Sequence, residues 1–130
     1  MTSPNRFVLK DFSLQCGHVL PKAEVVYQTY GELNPEGSNV VLYPTSYGAQ
    51  HSDVDLLVRT GGILDPTTWY VIMPNMFGNG LSTSPSNCEI AKQPGFYFTH
   101  YDNVRAQAVF AANISIHNCT RSSGELRIRN

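Results

Sequence analysis

No serine of this chain lies in a Gly-x-Ser-x-Gly turn, no apolar run approaches the length of a membrane span, neither sign of charge dominates, and cysteine occurs only three times. Each shortage removes a class of function. Cys16, Cys88 and Cys119 are odd in number and widely spaced, which suits neither a disulfide framework nor a zinc knuckle, so they are expected to be packed or idle thiols. A net charge of −1 gives no electrostatic reason to bind nucleic acid or an anionic membrane surface. A spanning helix needs roughly 18 consecutive apolar residues, and residues 1–6 are not followed by the apolar stretch of a leader, so a cytoplasmic protein with no membrane partner is expected. Gly78-Asn79-Gly80 has neither the glycine spacing of a phosphate loop nor the Lys-Ser/Thr that completes one. No cofactor and no metal ion are expected.

What is present suffices for a core. With 42% apolar and 15% charged residues, the chain has the composition of one ordinary domain. Phe12, Leu14 and Cys16 alternate with Ser13 and Gln15, Gly17-His18 offers a turn, and Ala23, Val25, Tyr27 and Thr29 line one face of a second strand. The pattern predicts an antiparallel hairpin. Asn39-Val40-Val41-Leu42-Tyr43 and Trp69-Tyr70-Val71-Ile72-Met73 have no alternation, which predicts strands covered on both faces of a parallel sheet. Between them Ser52 or Asp53 can cap a helix carrying Val54, Leu57 and Val58 until Gly61-Gly62 stops it. A last helix is predicted from Thr99 or Tyr101, with Val104, Ala108, Ala111 and Ala112 on its apolar stripe and Asp102 at its favourable end. Past Asn113 the spacing fails, so the chain divides into residues 1–113, with a domain pattern, and a divergent, poorly ordered tail over 114–130.

Strand, strand, buried strand, helix, buried strand, helix contains one βαβ unit, and ligands of such sheets bind beyond the carboxyl ends of the strands. The loops over residues 45–51 and 75–85 should therefore share one edge. Several residues there invite a catalytic reading and have a plainer one. Ser46, Ser82 and Ser84 are most simply turn residues, and His51 with Asp53, or His100 with Asp102, are too near in sequence to adopt triad geometry readily.

Tyr27, Thr29, Tyr30, Gly31, Leu33 and Asn34, followed by Asn39-Val40-Val41-Leu42-Tyr43, Gly62-Ile63-Leu64-Asp65, Trp69-Tyr70-Val71-Ile72 with Asn75 and Gly78, and Asp102-Asn103-Val104-Arg105-Ala106-Gln107, together resemble the homoserine O-acetyltransferase family of α/β-hydrolases. The resemblance covers residues 7–107. It implies an α/β class with a truncated α/β-hydrolase fold: an antiparallel hairpin, then parallel βαβ strands. It also implies serine acyl transfer between a small-molecule donor and acceptor, with no cofactor.

In that family the nucleophile, its histidine and the orienting carboxylate all follow the next strand, so no catalytic residue is assigned here and the chain alone is expected to be inactive. What the resemblance assigns is the loop that lends a backbone amide to the oxyanion, at Tyr47 or else Ser46, with Thr45, Asn75 and Gly78 lining the pocket. The family commonly has a histidine where this chain has Thr45, which leaves a related acyltransferase or a hydrolase branch open. Two other readings stand beside the inactive fragment: a small non-catalytic ligand-binding domain, and a half that complements a partner chain. Absence of the next strand would also bare an apolar edge on residues 39–43, through which self-association is expected.

Overall fold

The computed structural model describes residues 3–46 and 48–123, the side chains of 115–123 excepted. Strands β1 (Asn5–Ser13) and β2 (Val19–Tyr30) form the expected hairpin, registered from Asn5↔Tyr27 to Ser13↔Val19. Its turn is closed by Leu14 N–H to the His18 carbonyl and Gly17 N–H to the Leu14 carbonyl. Strands β3 (Val40–Leu42) and β4 (Tyr70–Pro74) lie side by side and parallel, as expected, with Val40 opposite Tyr70 and Leu42 opposite Ile72. β4 also pairs antiparallel with β2, which makes a mixed sheet in the order β1-β2-β4-β3 among the described residues.

The expectation that both apolar strands lie covered inside the sheet holds for one of them. β4 is central and buried from Val71 to Pro74. β3 is outermost, and Val40 and Leu42 are exposed.

The two helices also differ from the sequence pattern. The helix expected to run to Gly61 is one turn, α1 (His51–Val54), continued by a 3₁₀ turn over Asp55–Leu57. Its cap is Gln50 rather than Ser52, and Asp53 accepts the Gln50 N–H at 2.8 Å. Only Val54 and Val58 of the expected stripe reach the core, where they pack with Leu64, Val71 and Met73. Helix α2 (His100–Ser123) starts where predicted, and its backbone continues past Asn113.

Its buried face is not the expected one. Val104 is 65% exposed, whereas Asp102, Asn103, Ala106 and Phe110 point inward. The ring of Phe110 lies 5.5 Å from that of Phe7 and 4.6 Å from that of Tyr27, so α2 rests on the hairpin. Thr99 and Asp102 form a reciprocal cap: Asp102 N–H donates to Thr99 Oγ1 and Thr99 N–H to Asp102 Oδ2, both at 3.0 Å. Arg105 donates to the Ser13 carbonyl and covers the Phe12 ring at 4.4 Å.

Candidate functional site

The site lies at the carboxyl edge of β3 and β4. Parallel pairing continues past the ends of the strands, through Tyr43 N–H to the Ile72 carbonyl at 2.8 Å and Thr45 N–H to the Pro74 carbonyl at 3.2 Å. The two chains therefore leave the sheet together, and the loops that follow are bound to each other. Thr45 is buried, and its hydroxyl accepts the Met76 N–H at 3.2 Å. His51 N–H donates to Asn75 Oδ1 at 2.9 Å, Asn79 Nδ2 to the Ala49 carbonyl at 3.0 Å, and Gln50 Nε2 to the Asn79 carbonyl at 3.0 Å.

Ser46 is exposed, and its carbonyl accepts the Ala49 N–H at 3.0 Å. Tyr47 lies outside the described residues. Asn75 is buried beneath the loop, and its Nδ2 donates to the Val26 carbonyl at 2.8 Å. Gly78 lies at the surface with a φ of 87°, in the left-handed region that glycine adopts without a Cβ penalty. It borders a cleft of about 510 Å³ together with Gly48, Met76, Phe77 and Asn79, and with Phe96, Phe98, Thr99 and His100. Phe77 and Phe98, both part of its lining, stack at 4.9 Å.

The other serines of the long loop are committed to its architecture. Ser82 Oγ donates to the Asn75 carbonyl at 2.7 Å and accepts the Val26 N–H at 2.9 Å, while Thr83 Oγ1 accepts the Glu24 N–H at 2.7 Å. Two hydroxyls thus stand in for carbonyls along the edge of β2 that β4 no longer reaches. Ser84 Oγ donates to the Ser82 carbonyl at 2.7 Å and accepts the Gly80 N–H at 2.8 Å. The acidic partners of the imagined triads are committed too. Asp53 takes the Gln50 N–H, and Asp102 takes those of Gln15 and Thr99. Among the described residues no three His, Cys, Asp or Glu side chains converge as metal ligands, and no helix is long and apolar enough to cross a membrane.

The resemblance points to Thr45, Asn75 and Gly78; the structure sets Asn79 and the segment over residues 96–100 beside them, and gives His51, weighed in the sequence only as a triad member, a partner in Asn75. The one available signal was Phe96-Tyr97-Phe98, three aromatics directly before a Thr-x-x-Asp cap.

No family model matches the chain. It is 34% identical to a homoserine O-succinyltransferase of Halorhodospira halophila over 85% of its own length and 34% of that protein's. To a probable esterase of Corynebacterium glutamicum it is 39% identical over 57% of its own length and 22% of the other's. Among solved structures, the acetyl esterase MekB superposes with a TM-score of 0.79 at 28% identity, over 87% of this chain and 34% of that one. A homoserine O-acetyltransferase from Bacillus anthracis superposes with a TM-score of 0.66 at 22% identity, over 88% and 38%, a likeness of fold. The chain thus spans between about a fifth and a third of the length of the curated relatives it matches.

Proposed function

Because this chain is, over most of its length, a homologue of homoserine O-acyltransferases and esterases of the α/β-hydrolase fold, we propose that it forms the oxyanion-side part of an acyl-transfer site. The observation that carries the reading is the convergence of the loops after β3 and β4 on the carboxyl edge of a parallel strand pair, where α/β sheets hold their ligands. Residues 1–113 are the part of the domain that does this, and 114–130 diverge from the family.

When a hydroxyl attacks an acyl carbonyl, negative charge develops on the carbonyl oxygen, and backbone N–H groups already aimed at that point lower the barrier most. We assign one such donor to the amide of Tyr47, or of Ser46, with Thr45, Asn75 and Gly78 as the surrounding wall. The substrates are a small-molecule acyl donor and an acceptor alcohol or water. The 130 residues contain no Gly-x-Ser-x-Gly, so the nucleophile that would use this amide is not among them, and the chain alone is inactive. A cytoplasmic setting fits the free thiols of Cys16 and Cys88. The exposed outer edge of β3 favours one further reading, that another polypeptide supplies the adjoining strands.

The test is to assay the purified chain with 4-nitrophenyl acetate, and with acetyl-coenzyme A and homoserine. No product above the buffer rate is expected. Turnover that Ser46→Ala abolishes would overturn the reading.

A further inference from the structure

We propose that Asn75 is the positioning residue of the loop after β3, acting with Asn79 and through a His51 ring held in one neutral tautomer. The purpose of the loop rests on the acyl-transfer reading above; the clamp itself rests on geometry alone. Asn75 is 1% exposed, and the orientation of its amide follows from two backbone groups that each have a single role. The Val26 carbonyl can only accept, so Nδ2 faces it at 2.8 Å. The His51 N–H can only donate, so Oδ1 faces it at 2.9 Å.

With the amide oriented this way, its second N–H points at His51 Nδ1, 3.1 Å away. That nitrogen must present a lone pair, which places the ring proton on Nε2. Oδ1 also accepts from Asn79 Nδ2 at 3.0 Å, and the same Asn79 nitrogen donates to the Ala49 carbonyl. The Asn79 carbonyl in turn receives Gln50 Nε2.

His51 is therefore held by Asn75, which directly follows β4 and bonds to β2, and Ala49 and Gln50 by Asn79, which itself donates to Asn75. The other end of the loop is held at Thr45, by the Met76 N–H on its hydroxyl and by its own N–H on the Pro74 carbonyl. Between these anchors lie only residues 46–48, with Gly48 at a φ of 75°. Holding Thr45 on one side and Ala49, Gln50 and His51 on the other is the kind of preorganisation that an oxyanion donor carried by this loop requires.

Nitrogen-15 NMR of the whole chain at mildly alkaline pH tests this in two steps. In the native chain, His51 Nδ1 should read as an unprotonated acceptor and Nε2 as protonated; a proton on Nδ1 overturns the clamp without need of any variant. In Asn75→Asp the facing carboxylate can only accept, so the proton should move to Nδ1. Amide exchange at Gly48, Ala49, Gln50 and His51 should also quicken roughly tenfold or more while the β1–β2 hairpin keeps its protection. A purely structural Asn75 would lower protection everywhere alike, and that result, or unchanged exchange in the loop, counts against the proposal. Should Asn75→Asp fail to fold, Asn79→Ala is expected to loosen the same four amides with the His51 tautomer retained, and uniform loosening there overturns the proposal. None of these readings depends on turnover, so turnover that Ser46→Ala abolishes would remove the acyl-site reading and leave the clamp standing, and failure of the clamp would leave that reading standing.

Discussion

A Cβ placed on Gly31 would stand 2.3 Å from the Trp69 carbonyl oxygen and 2.6 Å from that of Pro66, both backbone atoms that cannot swing aside. Gly31 also has a φ of 80° and follows Tyr30, the last residue of β2 in register with β4. Gly31→Ala should therefore cost about 3 kcal/mol or more in urea unfolding, since it combines the left-handed penalty with a clash. Gly61→Ala separates the two contributions. Gly61 has a φ of 79°, but a Cβ there would meet nothing within 4 Å, so only the backbone penalty of about 1–2 kcal/mol is expected. Equal losses at the two sites would show that the close approach at Gly31 does not matter.

On α2 the expected losses follow burial rather than the apolar spacing. Phe110 is fully buried between Phe7 and Tyr27, so Phe110→Ala should cost about 3–5 kcal/mol by chemical denaturation. Val104, 65% exposed, should lose less than about 0.5 kcal/mol on the same change. The reverse order would mean that the helix packs through its other face.

That contrast explains which parts of the structure could be seen in the sequence. The parallel neighbours β3 and β4, the hairpin, and the shared edge of the two loops were legible, because apolar runs and turn residues report directly on strands and their ends. The face of α2 was not. Asp102 and Asn103 are buried because Asp102 accepts the Gln15 and Thr99 N–H groups and Asn103 the Phe77 N–H, partners that lie up to 87 residues away. A periodicity argument counts such residues as solvent-facing. The contacts of Asn79 and His51 with Asn75 were hidden for the same reason, since they form only when two loops meet. Thr45, Asn75 and Gly78 were reached through family likeness and not through any physical signal in the residues themselves.

Asp102 gives a sharp test of this point. Its carboxylate is fully buried and accepts two backbone N–H groups, one of which ties the hairpin turn to the start of α2. Asp102→Ala should cost roughly 3 kcal/mol, from a lost cap and two amides left without an acceptor. Protection of the Gln15 and Thr99 amides against hydrogen exchange should fall with it. Retained protection at both would show that the carboxylate is dispensable.

Acid should weaken the fold through two carboxylates of different kinds. The Lys22 ammonium, followed by the Arg6 guanidinium, lowers the pKa of Glu24 below its ordinary 4.5. The Thr67 hydroxyl, with the Gly61 and Thr67 N–H groups, lowers that of Asp65 below 3.8. A depressed folded-state value means stability that is present above the unfolded pKa and is lost as pH falls through the folded one. Unfolding midpoints should thus begin to drop as pH passes below those two ordinary values. Glu24→Gln and Asp65→Asn should each make that drop shallower. Added salt should shrink the Glu24 contribution, which comes from exposed ion pairs, more than that of Asp65, whose partners are neutral. Equal salt sensitivity would contradict this division.

The outer edge of β3 sets how the chain should associate with itself. Asn39 accepts from Tyr70 N–H, and Tyr43 and Thr45 donate to Ile72 and Pro74, so the odd-numbered residues face β4 and the backbone groups of Val40 and Leu42 face outward. The next outward position is Pro44, which has no N–H to offer. The open ladder is therefore short, and with Val40 and Leu42 38% and 36% exposed it is apolar as well. Such an edge invites pairing with a second copy, but two residues support only a weak contact. Sedimentation velocity should show reversible association that grows with protein concentration. Leu42→Lys, which puts a charge beside the open ladder, should return the chain to monomer. Val104→Lys, on the exposed face of α2, should leave association as it was. If the lysine on the helix abolishes association and the lysine on the strand does not, the contact runs through α2 and the edge of β3 is protected in some other way.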